Sequence, residues 1–213
     1  WLDLSFCGGR ARSITPPLIV LAGGVPCHEK LIGYWREGKL VDGRITAEGQ
    51  TFHVHRTAVL VGSEFLEGAF GSGYAESSSA HVTLPEISAR CLEAALAFLY
   101  TGECEVAEVE LVALLPAAAF LQIATLVAAI AAKLQQRLTP QSCLDAWALA
   151  DTYDLKKLAN AAKETALKHF DVVATLDGFV GLPLARLHEL LTDERLETRR
   201  EELVHEAVMR WVR

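Results

Sequence analysis

The sequence predicts an α+β first half joined to an all-helical second half. Three observations carry this. An extended stretch over residues 40–54 and a short return at 81–84 set strands among helices in the first half. Beyond Glu105 no alternating apolar pattern remains. Apolar residues recur instead at helical spacing toward the end of the chain.

Taken in order, residues 1–26 match no recognisable pattern, and the apolar run at 18–24, after Pro16 and Pro17, reads as a loop or disordered arm. It is too short to span a bilayer. Residues 30–38 form a short helix closed by Gly38, which suits a left-handed helix end. Within the extended stretch, Gly49-Gln50 reads as a hairpin turn, weakly specified because Glu48 precedes the glycine. From Ser63, the residues Phe65, Leu66, Ala69 and Phe70 repeat at helical spacing, and after a loop over 71–79 the strand at 81–84 returns.

Ser88 is an N-cap, and Leu92, Ala95, Leu96 and Leu99 follow at i, i+3, i+4 and i+7, so that face is core. The run 111–132 has no charge and is long enough to cross a membrane. It is rich in alanine, which contributes little transfer energy, and Pro116, Gln122 and Thr125 interrupt it. Two packed helices broken near Pro116 are the expectation, because proline is tolerated near a helix start and damaging inside. Val127, Ile130 and Leu134 continue the pattern to Thr139-Pro140, which pairs an N-cap with a proline at the first helical position and marks the domain boundary. Asp154 is expected to cap a helix carrying Leu155, Leu158 and Ala162, and Leu187, Leu190 and Leu191 mark another. No internal repeat is visible.

With 213 residues, 51% of them hydrophobic, the chain can fill one large core or two small ones without staples. A net charge of −7 argues against a surface that tracks phosphate backbones, so no nucleic-acid partner is expected. Five scattered cysteines with no C-x-x-C pair suggest neither a disulfide framework nor a zinc site, and a reducing compartment fits best. The chain opens on Trp1 and closes on Arg213 inside an apparent helix, so a piece of a longer protein is expected.

Chemistry-bearing clusters are sparse. His53 and His55 alternate and would share a strand face at metal-ligand spacing, but no third ligand is identifiable, so no metal or cofactor is expected. No G-x-S-x-G elbow, phosphate loop or H-E-x-x-H helix occurs, and no enzyme is expected. Cys104 lies between Glu103 and Glu105, whose charges should raise its pKa and suppress the thiolate. The thiols read as buried or bystander groups.

The ordered series from Gln50 to Gly102 is the most specific signal. Phe52, His55, Arg56, Val59, Ser63, Phe65 and Phe70 keep the spacing of a strand ending in an A-H-R/K turn and then a S-x-Y-F-x-x-M-F helix, and a later helix closes on Tyr100-Thr101-Gly102. This resembles a BTB (POZ) domain. LLPAAAFLQI at 114–123 is similar to a stretch of Kelch-like proteins, and the segment 140–144 resembles the start of their BACK region. The tail, with Glu201, Val204, Glu206, Ala207, Val208, Trp211 and Val212, looks like that family's S-E-x-x-V-F-x-A-V-x-x-W-V helix. The resemblance divides the chain into an unassigned arm at 1–26, a BTB domain at 27–138 and a truncated BACK domain at 139–213, with no Kelch blade signature.

The resemblance implies an α+β BTB/POZ domain followed by an all-α BACK segment, acting as a substrate adaptor of a cullin-3 ubiquitin ligase in the cytoplasm, with the nucleus also open to it. The alternative is a BTB scaffold or transcriptional cofactor that dimerises without cullin. By the same resemblance, Leu31, Ile32, Tyr34, Trp35, Asp42 and Arg56 belong to a homodimer interface. Ala69, Phe70, Tyr74, Glu76 and Tyr100 belong to a cullin-3 interface, with Tyr74-Ala75-Glu76 standing where cullin-binding relatives carry an apolar-x-Glu motif. A protein substrate, of unknown identity, would be chosen by a C-terminal domain outside this chain, and some Kelch-like proteins sense electrophiles through cysteines. No membrane association is implied. Several positions depart from the family pattern. Gly43 follows Asp42 where valine is usual and should weaken the strand. Ala69 replaces methionine, Arg200 replaces a capping serine, and His205 replaces a phenylalanine expected to be buried.

Overall fold

The computed structural model describes residues 17–71 and 80–212. Two hydrophobic cores organise them, one drawn from residues 19–130 and one from 143–207.

The first core opens with strand β1 (Leu18–Ala22), followed by helix α1 (Glu29–Arg36). β1 corrects the reading of 18–24 as a loop: it pairs antiparallel with β5 (Glu103–Ala107), with Leu18 opposite Ala107 and Ala22 opposite Glu103. Its alternation buries Ile19 and Leu21 and exposes Leu18 and Val20. α1 ends as expected, with Gly38 at φ 64° just past its C-cap.

β2 (Gly43–Ala47) and β3 (Gln50–Val54) form a hairpin, and β4 (His81–Leu84) joins β2 in parallel, giving the sheet order β3-β2-β4. The turn lies one residue earlier than expected, at Glu48-Gly49, both with positive φ. That is the two-residue turn whose twist matches the strands. Gly43 also differs from expectation. A Cβ there would meet Arg56 Cγ at 2.8 Å and Val54 Cγ2 at 3.2 Å, so the glycine answers close packing at the strand's start.

Short helix α2 (Arg56–Leu60) and α3 (Glu64–Gly71) follow β3. Ser63 accepts from Leu66 N–H and donates to the Leu121 carbonyl at 2.6 Å, so one buried hydroxyl caps α3 and ties it to a distant helix end. α4 (Ala89–Thr101) begins on Ser88, whose hydroxyl accepts from Cys91 N–H, and ends on Gly102 at φ 76°. There the chain crosses the segment after β1: Gly24 N–H donates to the Gly102 carbonyl at 3.0 Å. A Cβ on Gly102 would lie 2.7 Å from the Gly24 carbonyl oxygen. Gly102→Ala therefore combines a left-handed backbone with a backbone clash. We expect it to cost about 2 kcal/mol or more and to lower the urea midpoint accordingly.

After a 3₁₀ turn (Glu108–Glu110) come α5 (Leu111–Phe120) and α6 (Ala124–Gln136). Two helices were expected here, but the break falls at 121–123 and not at Pro116, which lies inside α5 on its exposed side. The break is a Schellman stop. Gln122 takes φ 53°, Ile123 N–H donates to the Ala118 carbonyl and Gln122 N–H to that of Ala119. No helix among the described residues is long and apolar enough to cross a membrane.

The second core is helical: α7 (Cys143–Thr152), α8 (Lys156–Lys168), the short α9 (Phe170–Val173) and α10 (Asp177–Val180), α11 (Leu184–Leu191) and α12 (Glu201–Val212). Thr139-Pro140 does not start a helix. Thr139 and Ser142 exchange backbone-to-hydroxyl bonds in a turn, and α7 begins at Cys143. Asp154 does not cap α8 either. At φ 51° it closes α7, with Leu155 N–H donating to the Ala150 carbonyl. Arg186 on α11 lies over the Trp147 ring at 5.0 Å and pairs with Asp151 and Glu189, while Lys163 bridges Glu189 and Asp193, which fastens α7, α8 and α11 together. His205 is exposed, so histidine there costs no burial, and Trp211 fixes α12 by donating to the Leu182 carbonyl at 2.8 Å.

Candidate protein-interaction site

Of the side chains singled out in the sequence, some line the surface around α1 and α2, some lie on α3, and some are interior to the first core. On one face, α1 carries no fully buried residue; Leu31, Ile32 and Trp35 are half-buried and Tyr34 is exposed. Beside it runs a groove of about 390 Å³, lined by Val25, Cys27, Leu31, Ala58, Val61 and Leu99. Val25 and Val61 are 86% and 90% exposed there, an unusual degree of exposure for two neighbouring apolar side chains. Asp42 and Arg56 meet on this side. The carboxylate accepts from Arg56 N–H at 2.7 Å, completing the first turn of α2, and lies 3.4 Å from the guanidinium. Both are about half exposed, so the ion pair contributes at most about 1 kcal/mol and its main local task is the cap.

The other face is built by α3 and α5. Phe65 lies one turn before Ala69 on α3, both half-buried, and its ring packs against Phe120 with centroids 4.8 Å apart. Phe120 is 49% exposed. Next to it a hollow of about 310 Å³ is lined by Ile87, Cys91, Ala113, Pro116 and Phe120. Phe120 was not singled out in the sequence, because only the Schellman turn at Gln122 aims the end of α5 at α3.

Two residues assigned to the cullin face by the resemblance are interior in this chain. Phe70 is buried beneath α3, and Tyr100 is wholly buried in α4. The Tyr100 hydroxyl accepts from His55 N–H at 2.8 Å and lies 3.1 Å from His55 Nδ1. His55 Nε2 faces the Lys39 carbonyl at 2.9 Å, which can only accept, so Nε2 carries the proton and Nδ1 accepts from the tyrosine. Both ring nitrogens are thereby occupied, and His55 is the buried turn residue the resemblance implied. Burial pushes the Tyr100 hydroxyl up to about 12. Tyr74 and Glu76 lie outside the described residues.

Among the described residues no group of three or more His, Cys, Asp or Glu side chains is gathered in a way that could hold a metal ion. Cys104 is held well above its ordinary pKa, at about 11, by burial; Glu103 and Glu105 point to the opposite, solvent face of β5, so burial and not the flanking charge is the cause. Burial also raises Cys143 to about 11. At pH 8 a thiol reagent should therefore label Cys104 and Cys143 much more slowly in the native protein than in urea, as followed by peptide mass mapping. Equal rates in both states contradict the burial assigned to them.

The comparisons with known proteins agree with this organisation. Residues 31–138 match the BTB/POZ domain model, and residues 143–213 match the BACK model, BTB And C-terminal Kelch. The chain is 33% identical over 178 residues to Kelch-like protein 17 of Mus musculus, which covers 84% of this chain and 28% of that protein. To Kelch-like protein 24a of Danio rerio it is 33% identical over 179 residues, covering 84% and 30%. Among solved structures, the BTB domain of zebrafish PATZ1 aligns over 50% of this chain and 86% of its own, at 22% identity and a TM-score of 0.45. The chain spans less than a third of the length of the curated relatives it matches. With the α+β core carrying the BTB match and the helical core carrying the BACK match, the chain belongs to the BTB/POZ family, in the BTB–BACK arrangement of the Kelch-like proteins.

Proposed function

We propose that this chain is the substrate-adaptor module of a cullin-3 ubiquitin ligase, supplying self-association and cullin binding and no chemistry of its own. The observation that carries the reading is the half-exposed aromatic pair Phe65–Phe120 beside Ala69, an apolar face on α3 and α5 in a chain that joins a BTB core to a BACK core. An apolar ring next to a hollow accepts the side chains of a partner helix. Tyr74 and Glu76 belong to the cullin contact by the family resemblance alone. A homodimer forms through the surface where α1, Val25 and Val61 leave apolar side chains uncovered. Its function is proximity: a substrate held elsewhere in the full protein is brought to the transferred ubiquitin at high effective concentration. We place this activity in the cytoplasm, with the nucleus as a second site.

One observation favours a second reading. Ala69 stands where the family pattern carries methionine by the resemblance, and the smaller side chain offers less contact area. A dimeric scaffold or transcriptional cofactor that does not bind cullin fits that loss. Light scattering combined with titration against the N-terminal region of cullin-3 separates the readings. The adaptor reading expects a dimer that binds cullin-3 at micromolar concentration or tighter. A dimer with no cullin binding there leaves the scaffold, and a monomer at tens of micromolar overturns the shared self-association.

A further inference from the structure

We infer that Tyr100 is a positioning residue for the self-association face: it touches no partner but fixes where α1 lies on the core. The inference rests on the self-association reading above. α1 has no fully buried residue to seat it, and Leu31 and Ile32 contribute only half-buried contacts. Its Trp35 ring stacks on Tyr100 with centroids 4.2 Å apart and planes 2° apart. Tyr100 also holds the chain on both sides of α1. Its carbonyl accepts from Cys27 N–H at 2.8 Å, just before the helix. Its hydroxyl orients His55, whose Nε2 donates to the Lys39 carbonyl just after the helix. Lys39 N–H in turn donates to the Tyr34 carbonyl at 2.8 Å. A single buried ring therefore links the segment entering α1, the helix, and the loop leaving it.

Tyr100→Phe keeps the ring stack and the carbonyl but strips the hydroxyl. His55 N–H and Nδ1 then lose their partner in a buried place, the imidazole is free to turn, and the Lys39 carbonyl is released. The expected result is a dimer dissociation constant raised at least about tenfold, with faster amide exchange confined to residues 28–39. Val82→Ala, a core change in β4, serves as the control for general destabilisation, because Val82 is buried in the three-stranded sheet. It should leave the dimer constant and α1 exchange unchanged. If Tyr100→Phe dimerises as tightly as wild type, or no more weakly than Val82→Ala, the positioning role is wrong while self-association stands. If the wild type is itself a monomer, the self-association reading falls first and this inference with it. If Tyr100→Phe instead weakens cullin-3 binding while dimerising normally, Tyr100 acts on the cullin face and the inference is overturned.

Discussion

Phe120→Ala should weaken binding to cullin-3 at least about tenfold, a change of about 1.4 kcal/mol, and leave the dimer intact. Phe120 is half exposed, rests on Phe65, and borders a hollow of about 310 Å³, the arrangement of an aromatic anchor beside a pocket. Truncating such an anchor often costs about 2 kcal/mol or more at an interface. Because its ring is only half packed, the change should disturb the fold little. Ala69→Met tests the same face in the opposite direction. It adds apolar side chain one turn beyond Phe65 and should raise affinity severalfold, since each buried methylene contributes about 0.8 kcal/mol. Both are read by calorimetric titration of the purified chain against the cullin-3 N-terminal region. Unchanged affinity in both variants rules out the α3–α5 face as the cullin site, even if wild type binds.

The second large effect is on stability, and it is expected to be confined to one half of the molecule. Phe170 is wholly buried at the centre of the helical core and meets Phe179 edge to face, with centroids 5.9 Å apart. Phe170→Ala removes that ring and leaves a cavity, at a cost of about 3–5 kcal/mol. Single domains have only about 5–15 kcal/mol in hand, so the BACK core should be largely unfolded or readily opened. The BTB core should persist, because its buried residues form a separate cluster, and the side chains that bridge the two, such as Leu138, Leu149, Tyr153 and Leu155, are only partly buried. Hydrogen exchange mapped by mass spectrometry should show residues 143–212 losing protection while β2, β3 and α4 keep theirs. Uniform loss of protection across both cores is the contrary result and makes the two a single cooperative unit.

Features that depend on near neighbours and on periodicity were legible in the amino-acid order. The helix on Ser88 was legible because its cap and its apolar stripe lie within thirteen residues of one another. The same holds for Gly38 closing α1, for the strand at 81–84, and for the all-helical second half. The spacing from Phe52 to Phe70 and the tail motif were specific enough to identify the family, which the domain matches support. Where one residue has two local uses, sequence chose wrongly: Asp154 can cap a helix or take a left-handed turn, and Thr139-Pro140 can begin a helix or make a turn.

Features that depend on partners far along the chain were set by packing. β1 was unreadable because a five-residue strand has no signal apart from its pairing, and its partner is β5. Pro116 is tolerated in α5 because it lies on the exposed side, and the chain breaks at Gln122, where the Leu121 carbonyl meets Ser63. The division of the site was also decided at this level. Tyr100 and Phe120 both lie near helix ends, and nothing local distinguishes them. Packing sent Tyr100 inward, where its hydroxyl satisfies His55, and left Phe120 outward against Phe65, because burial is a property of how elements meet and not of the residues within one of them.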